Sequence, residues 1–180
     1  MRKVVLYIAK SLDGYIADSN GGVDWLTGQD EENTDPGSYP EFIKTVDTVI
    51  LGYKTYYQVT TELSPDSWVY SGMKSYVVTS KKIESTDEII FTNENLTDLI
   101  SRLKKQEGKD IWICGGASIV NQLLGLNLID EFYISIIPTI LGSGIRLFEE
   151  HNKEIKLELI NTRNYNGIVD LQYKCRKSTD

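Results

Sequence analysis

The sequence predicts an α/β protein built on a mostly parallel central sheet. Short apolar runs rich in β-branched residues alternate with segments of helical periodicity, an order typical of parallel strands joined by helices. The C-terminal part differs, because two alternating segments flank Asn166-Gly167 and indicate an antiparallel hairpin at the edge of the sheet. With 180 residues and no internal repeat, we expect one domain over residues 1–180.

Composition and charge exclude several classes of function. Hydrophobic residues make up 41% and charged residues 25% of the chain, as in an ordinary globular protein. The formal net charge of -7 opposes nucleic acid and anionic membranes, and the first apolar run is broken at Lys10, too early for a membrane span or a signal peptide. We therefore expect a cytoplasmic protein whose partners include neither nucleic acid nor membrane.

The first elements are a buried strand and a long loop. Residues 3–14, KVVLYIAKSLDG, form an apolar run that stops at the turn pair Asp13-Gly14. Residues 18–40 carry glycines, prolines and acidic groups without periodicity, which predicts a surface loop. A loop of this length in a small domain often has a functional role.

The middle of the chain alternates strands and helices. After Pro40 we predict a short helix, a strand over 48–51, a helix just past Gly52 and a strand over 75–80. Apolar residues at helical spacing predict a helix that begins after the N-cap Asn95 and ends before Gly108. A strand over 110–114, a helix from Ala117 to about residue 124 and a strand over 131–138 follow.

Glycines stand where two predicted strands meet the helices that follow them. Gly52 follows TVIL, and Gly115 and Gly116 follow IWIC. Without side chains, these turns let backbone N–H groups approach an anion at a helix N-terminus; the alternative is that the glycines only permit tight turns. Gly142-Ser143-Gly144 lacks the third glycine of the G-x-G-x-x-G dinucleotide fingerprint, which we reject here.

Ordered motifs give a family resemblance over nearly the whole chain. YIAKSLDGYIA, DWL, VILGYKTYYQV, YVVTS, IWICGGASIVNQLL and IIPTILGSGIRLF resemble in order the dihydrofolate-reductase-like fold. More closely, they resemble the reductase domain of bacterial riboflavin biosynthesis, the RibD C-terminal family, and its stand-alone members. The resemblance implies a three-layer fold, a homodimer and an NADPH-dependent reductase. Its substrate would be a small pyrimidine- or pterin-like heterocycle, as in 5-amino-6-(5-phosphoribosylamino)uracil reductase, and the enzyme would act on a CH–OH/C=O or C=N group.

The resemblance also places the NADPH molecule residue by residue. It implies that Ala9 and Ile16 face the nicotinamide. The adenosine phosphate side would be held by Gly52, Tyr53, Lys54, Thr55, Thr79, Ser80 and Lys81. The pyrophosphate would lie against Gly115, Gly116, Ala117, Ser118, Ile119 and Val120. Lys54, Lys81 or Lys82 can pair with a 2′-phosphate, although each is also compatible with a solvated surface charge. Folate enzymes commonly have Arg where this chain has Tyr53, so the preference for NADPH over NADH is implied only.

The substrate side departs from the folate enzymes. Alignment through Phe42 puts Ser38 where those enzymes carry a carboxylic acid, and a serine cannot form an ion pair, so folate reduction is doubtful unless Asp35 or Glu41 takes that place. Asp13 is the other catalytic candidate, although it can equally bond to its own turn. The resemblance makes Phe42 a substrate-binding candidate beside Ser38. The other two substrate candidates each have a structural alternative: Arg146 for an anionic or carbonyl group or as a surface charge, and Trp25 as pocket lining or as packing beneath the loop.

Two other classes of function bear on this sequence, a nucleotide-binding module and a zinc deaminase. A non-catalytic nucleotide-binding or sensory module that kept the NADPH cradle is the alternative to a reductase, since Ser38 stands at the expected acid position. The H-x-E and P-C-x-x-C signatures of a zinc deaminase are missing, and no His or Cys cluster has metal-ligand spacing. His151 lies in an acidic stretch and is expected at the surface.

Overall fold

The computed structural model describes residues 1–150 and 154–176. The expectation for His151 lies outside these residues. Within them the elements are β1 Val4–Ser11, β2 Tyr15–Ala17, α1 Tyr39–Ile43, β3 Val46–Gly52, α2 Tyr53–Gln58, β4 Lys74–Val78, β5 Ile89–Thr92, α3 Leu96–Lys104, β6 Asp110–Gly115, α4 Ala117–Gly125, β7 Glu131–Ile137, β8 Ile145–Arg146, β9 Leu157–Tyr165 and β10 Ile168–Cys175. A π-helical turn over Val59–Leu63 continues α2.

The central sheet has eight strands in the order β5-β4-β3-β6-β1-β7-β10-β9. The first six strands of this order, which end with β7, run parallel to one another. Strand β10 pairs antiparallel with both β7 and β9. Strands β2 and β8 form a separate antiparallel pair. The expected fold class, a mostly parallel sheet with an antiparallel C-terminal hairpin, is therefore confirmed.

Helices cover both faces of the sheet, which gives three layers. On one face, α3 and α4 bury Leu99 and Leu123 against Leu6 of β1. On the other face, α1 packs Phe42 against Val5 and Trp112. Side chains of β1 alternate between the two cores because successive residues of a strand point to opposite faces.

Local sequence signals account for the best-predicted elements. The Asn95 side chain accepts a 2.8 Å hydrogen bond from the Thr97 N–H, so the predicted N-cap of α3 is confirmed. Asn166 and Gly167 both have positive φ, 46° and 75°, which is the conformation that a two-residue hairpin of the I′ type requires.

Three short strands lack a sequence signal strong enough to predict them. β5 has four half-buried residues, and β2 and β8 have three and two. Such lengths are too short for a period of two to stand out. β2 and β8 form only through pairing between segments far apart in sequence, and β5 forms by pairing with the preceding strand β4.

Two kinds of feature are absent from residues 1–150 and 154–176. None of their helices has the length and apolar character that a membrane crossing requires. No group of three or more His, Cys, Asp or Glu side chains among them could hold a metal ion.

Candidate active site

The carboxyl ends of β3 and β6 bring two glycine turns side by side. Gly52 directly precedes α2, and Gly116 directly precedes α4. A Cβ atom built on Gly116 would lie 3.3 Å from Thr55 Oγ1, and one built on Gly52 would lie 3.9 Å from the Gly116 nitrogen. The N-termini of both helices therefore meet at one place, where their dipoles favour an anion and where side chains would occupy the space of a bound group.

The residues predicted to hold the pyrophosphate, Gly115 to Val120, differ in their backbone geometry and hydrogen bonds. Gly115 has φ +125°, a conformation that favours glycine, and a cis peptide bond joins it to Gly116. The N–H groups of Ile119 and Val120 both donate to the Gly116 carbonyl, and their side chains are buried in the core. The N–H groups of Ile119 and Val120 are thus used within α4, and the contacts of a pyrophosphate with Gly115, Gly116, Ala117 and Ser118 stay a prediction.

A cleft follows the end of β4, where the adenosine phosphate side is expected. Its volume is about 490 Å³, and it is lined by Thr79, Ser80, Lys81, Lys82, Ile83, Glu84, Phe91, Thr92 and Asn93. The Lys81 ammonium lies 4.1 Å from the centroid of the Tyr53 ring. Tyr53, which stands where folate enzymes have Arg, thus holds a lysine over the cleft by a cation–π contact. Lys54 is exposed on α2.

The residues expected at the nicotinamide lie on β1 and β2. Ala9 is half-buried and pairs in register with Ser135 of β7. Tyr7 and Ala9 lie on the same face of β1 because they are two residues apart. Ile16 is half-buried and packs against the core that contains Leu6 and Leu123.

A buried polar cluster lies beside Ala9 on the same face of the sheet. Asp170 of β10 is only 7% exposed and pairs with Ser135. Its carboxylate accepts hydrogen bonds from Ser135 Oγ at 2.6 Å, from the Ser38 backbone N–H at 3.2 Å and from Ser38 Oγ. Tyr165 donates to it at 3.4 Å, and the Tyr7 hydroxyl lies 3.1 Å from Ser38 Oγ. We call Tyr7, Ser38, Ser135, Tyr165 and Asp170 the Asp170 cluster.

Burial controls the titration of the two tyrosines in this cluster. Desolvation raises the pKa of Tyr7 above its ordinary value. Desolvation, followed by the negative charge of Asp170, raises the pKa of Tyr165 to about 12. Both phenols therefore stay protonated at neutral pH and are able to donate hydrogen bonds.

Aromatic packing supports the cluster from α1. The Phe42 ring stacks on Tyr7 with centroids 4.4 Å apart and is 3% exposed. Phe42 thus fixes Tyr7 from within the core, and we leave its direct contact with substrate as a prediction.

Residues 35–38 of the long loop lie next to the Asp170 cluster. Arg163 of β9 donates to the Gly37 carbonyl at 2.7 Å and to the Asp35 carboxylate at 2.8 Å. The Gly37 N–H, with a smaller contribution from Arg163, lowers the pKa of Asp35. Asp35 is thus an anchor of the loop that carries Ser38.

Asp13 braces a turn in this structure. Its carboxylate accepts from Ser11 Oγ at 2.6 Å and from the backbone N–H groups of Leu141 and Gly142 at 3.1 and 2.7 Å. The Ser11 hydroxyl is the main cause of its lowered pKa. Asp13 thus joins its own turn to the loop of Leu141 and Gly142, rather than bonding only within its turn, and a catalytic role stays a prediction.

Arg146 and Trp25 lie on the loops around the site. The Arg146 guanidinium is exposed and 4.8 Å from the Tyr15 ring centroid. The Trp25 indole N–H donates to the Gly22 carbonyl at 3.2 Å, and Gln58 of α2 donates to the Gly21 carbonyl at 2.8 Å. The loop with Trp25 is thereby tied to α2, whereas both substrate roles stay predictions.

Sequence reasoning missed Tyr7, Ser135, Tyr165 and Asp170. The signal was present for Asp170, because it stands in the alternating strand IVDLQYKC in phase with the buried Ile168. An acidic residue at an inward-facing position of a strand indicates a special environment. Which partners it meets could not be predicted, since they come from a loop and from other strands.

Comparison with known proteins decides the family. The model of the RibD C-terminal domain matches residues 2–169. This chain belongs to the RibD C-terminal domain family. The uncharacterised protein YwjB of Bacillus subtilis is 44% identical over 173 residues, which cover 96% of this chain and 97% of that protein.

Solved structures agree with this assignment and include reductases. A putative riboflavin biosynthesis protein from Shewanella sp. PV-4 superposes with a TM-score of 0.84 at 29% identity, covering 97% of this chain and 99% of that one. The deaminase/5-amino-6-(5-phosphoribosylamino)uracil reductase of Thermotoga maritima superposes with a TM-score of 0.72 at 16% identity, covering 97% of this chain and 57% of that one. Dihydrofolate reductase from Enterococcus faecalis, complexed with NADP(H) and the ligand RAB-propyl, superposes with a TM-score of 0.65 at 16% identity, covering 97% of this chain and 97% of that one. The dihydrofolate-reductase-like fold is therefore confirmed.

Proposed function

We propose that this protein is an NADPH-dependent reductase of a small nitrogen heterocycle. The observation that carries the proposal is the meeting of Gly52 and Gly116 beside the cleft that contains Lys81 and Lys82. The glycine turns supply N–H donors for a pyrophosphate, and the lysines supply cations for a 2′-phosphate. NADPH, when bound, supplies the hydride.

The residues of the chain would bind and orient the two reactants. In this proposal Ala9 and Ile16 line the nicotinamide end, and Tyr53 and Thr79 flank the adenosine end. The aromatic residues that pack around α1 keep water away from the sheet face next to Ala9. Orientation in a dry pocket accounts for much of the catalysis that a hydride transfer needs.

We narrow the reduced group to a C=N bond. The two reductases among the similar structures are named for dihydrofolate and for 5-amino-6-(5-phosphoribosylamino)uracil, and both names denote nitrogen heterocycles. A C=O group, the other acceptor expected from the sequence, has no such support. In this proposal Arg146 and Trp25, which lie on loops, contact the substituents that the ring carries.

Titration of the protein with NADPH and with NADH tests the proposal. We expect NADPH to bind more tightly, and an absence of binding by both would overturn it. The non-catalytic alternative predicts binding without turnover, so steady NADPH oxidation with a screened heterocycle would exclude a purely sensory module.

We also propose that the protein is a homodimer. The face of the sheet that is formed by β7, β10 and β9 carries an apolar cleft of about 420 Å³. Leu159 and Val169 on this face are 52% and 38% exposed, and Phe148, which lines the cleft, is 40% exposed. An apolar sheet surface of this kind is a favourable surface for a second copy.

A further inference from the structure

The Asp170 carboxylate has an unusual set of partners. It is buried, and its partners are three hydroxyl groups and one backbone N–H. Among the residues that the structure describes, no Lys or Arg nitrogen forms an ion pair with it; the nearby Arg163 pairs with Asp35 instead. Burying a carboxylate without a cation is costly even when it is hydrogen-bonded. Its position in the same row of the sheet as Ala9 and Ser135 makes this buried carboxylate a candidate for a role in the site.

The carboxylate fixes the direction of the hydrogen bonds around it. A carboxylate only accepts, so the O–H groups of Ser38 and Ser135 must both point at Asp170. Their oxygen atoms then offer only lone pairs to every other neighbour. Tyr7, which stays protonated, donates to Ser38 Oγ in this arrangement.

This polarised cluster reaches the open part of the site. Ser38 and Tyr7 are half-buried, whereas Asp170 and Ser135 are buried beneath them. Ala9, Ser135 and Asp170 lie in one row across β1, β7 and β10. Since neighbouring strands are about 4.8 Å apart, Asp170 lies about 10 Å from Ala9, within the span of a heterocycle placed beside the nicotinamide.

We propose that Asp170, acting through Ser38, makes the substrate half of the site an acceptor surface that selects a 2-aminopyrimidine ring over a uracil ring. This inference rests on the proposed reductase function and names its substrate class. The ring N–H and the adjacent exocyclic amino group of a 2-aminopyrimidin-4-one form a pair of neighbouring donors. Uracil has a carbonyl in place of that amino group. Its carbonyl oxygen would face the serine oxygen as two acceptors with no hydrogen bond between them.

Asp170 is a positioning residue in this proposal, and Ser38 is the group that meets the ring. This arrangement differs from a folate-type carboxylate on the first helix, because the carboxylate here belongs to β10. It acts on the ring through the hydroxyl of Ser38. The proposed selectivity also differs from selection for uracil, which appears in the name of the Thermotoga reductase.

Two ligands that differ at one position test the inference. Isocytosine, which is 2-aminopyrimidin-4-one, and uracil would be titrated separately into the NADPH-saturated protein and followed by ¹H–¹⁵N NMR. We expect isocytosine to bind at least tenfold more tightly than uracil. Equal affinities, or tighter binding of uracil, would overturn the inference.

The isosteric variant Asp170→Asn separates selection from folding. Its amide can donate, so a serine hydroxyl can turn towards the ligand, and the preference for isocytosine should fall to threefold or less. NADPH affinity should stay unchanged. The matched control is Asp98→Asn, which removes a carboxylate from the exposed surface of α3 and should leave the preference intact. A full preference in a folded Asp170→Asn protein would refute the role of Asp170.

Ser38→Ala decides the matter if Asp170→Asn does not fold. Ser38 is half-buried, and its side chain does not cap α1, so the fold should tolerate the loss of the hydroxyl. The variant should lose the preference for isocytosine, and retention of that preference would contradict the inference. Failure of the wild type to bind NADPH would instead count against the proposed function, and the two failures are therefore distinguishable.

Discussion

The Gly116→Val substitution tests the proposed cofactor cradle most specifically. Gly116 has an ordinary extended backbone, with φ −74° and ψ −164°, so valine requires no left-handed conformation. Its Cβ would lie 3.3 Å from Thr55 Oγ1, a contact that a small rotation of the threonine side chain relieves. The γ-methyl groups of valine would then occupy the space between the two glycine turns, where we place the pyrophosphate.

The expected loss of NADPH affinity follows from this crowding. Inserting extra methyl groups into a close-packed site costs about 1–3 kcal/mol, and about 2.7 kcal/mol corresponds to about 100-fold in affinity. We therefore expect up to about a 100-fold weaker Kd for NADPH, measured by fluorescence titration, with the far-UV circular dichroism spectrum unchanged.

Gly125→Val is the matched control. Gly125 lies at the other end of α4, and a Cβ built there meets no atom within 4 Å. This variant should bind NADPH as the wild type does. Unchanged NADPH affinity in a folded Gly116→Val protein would show that the cradle lies elsewhere.

Four further predictions concern affinity, stability, pH and assembly. Lys81→Ala should weaken NADPH binding about tenfold while NADH binding stays the same, since only NADPH carries the 2′-phosphate that a lysine can pair with; equal losses for both cofactors would contradict this. Arg2→Met should lower the free energy of unfolding in urea by about 3 kcal/mol, because the 6%-exposed guanidinium satisfies Asp47, Thr48 and two carbonyl groups; a change below about 1 kcal/mol would refute it. Folding lowers the pKa of Asp13, so the stability that its carboxylate adds to the folded state is present above the ordinary pKa of 3.8 and is lost as the pH falls through the lowered pKa. Amide exchange at Gly142, corrected for intrinsic rates, should therefore accelerate in that acidic range. Constant protection of this amide would contradict the bracing role of Asp13. Leu159→Lys should convert a dimer into a 20.4 kDa monomer in sedimentation, whereas Val69→Lys, on an exposed apolar residue elsewhere, should not; a wild type that sediments only as a monomer would refute the homodimer.

Most of the fold could be predicted because its signals are local. The Asn95 cap, the Asn166-Gly167 turn and the apolar runs each specify an element through residues that are neighbours in the sequence. The same holds for the glycine turns at Gly52 and Gly116, which stand at strand–helix junctions. That a Cβ built on Gly52 would lie 3.9 Å from the Gly116 nitrogen depends on the pairing of β3 with β6, which no single segment encodes.

The substrate half of the site could be predicted only in part. The sequence shows Ser38 where an acid is expected, but it does not show that β10 supplies a carboxylate to that serine. Asp170 and Ser38 are 132 residues apart in sequence, and their contact exists only because the C-terminal hairpin joins the sheet beside β7. Long-range contacts of this kind are set by tertiary packing and leave little trace in local periodicity.

The central claim is that the junction of β3, β6 and their following helices binds the phosphates of NADPH. Isothermal titration of the purified protein with NADPH and, separately, with NADH measures it directly. The account predicts saturable binding of one NADPH per chain, with at least tenfold weaker binding of NADH. No binding of either cofactor, or tighter binding of NADH than of NADPH, would contradict it.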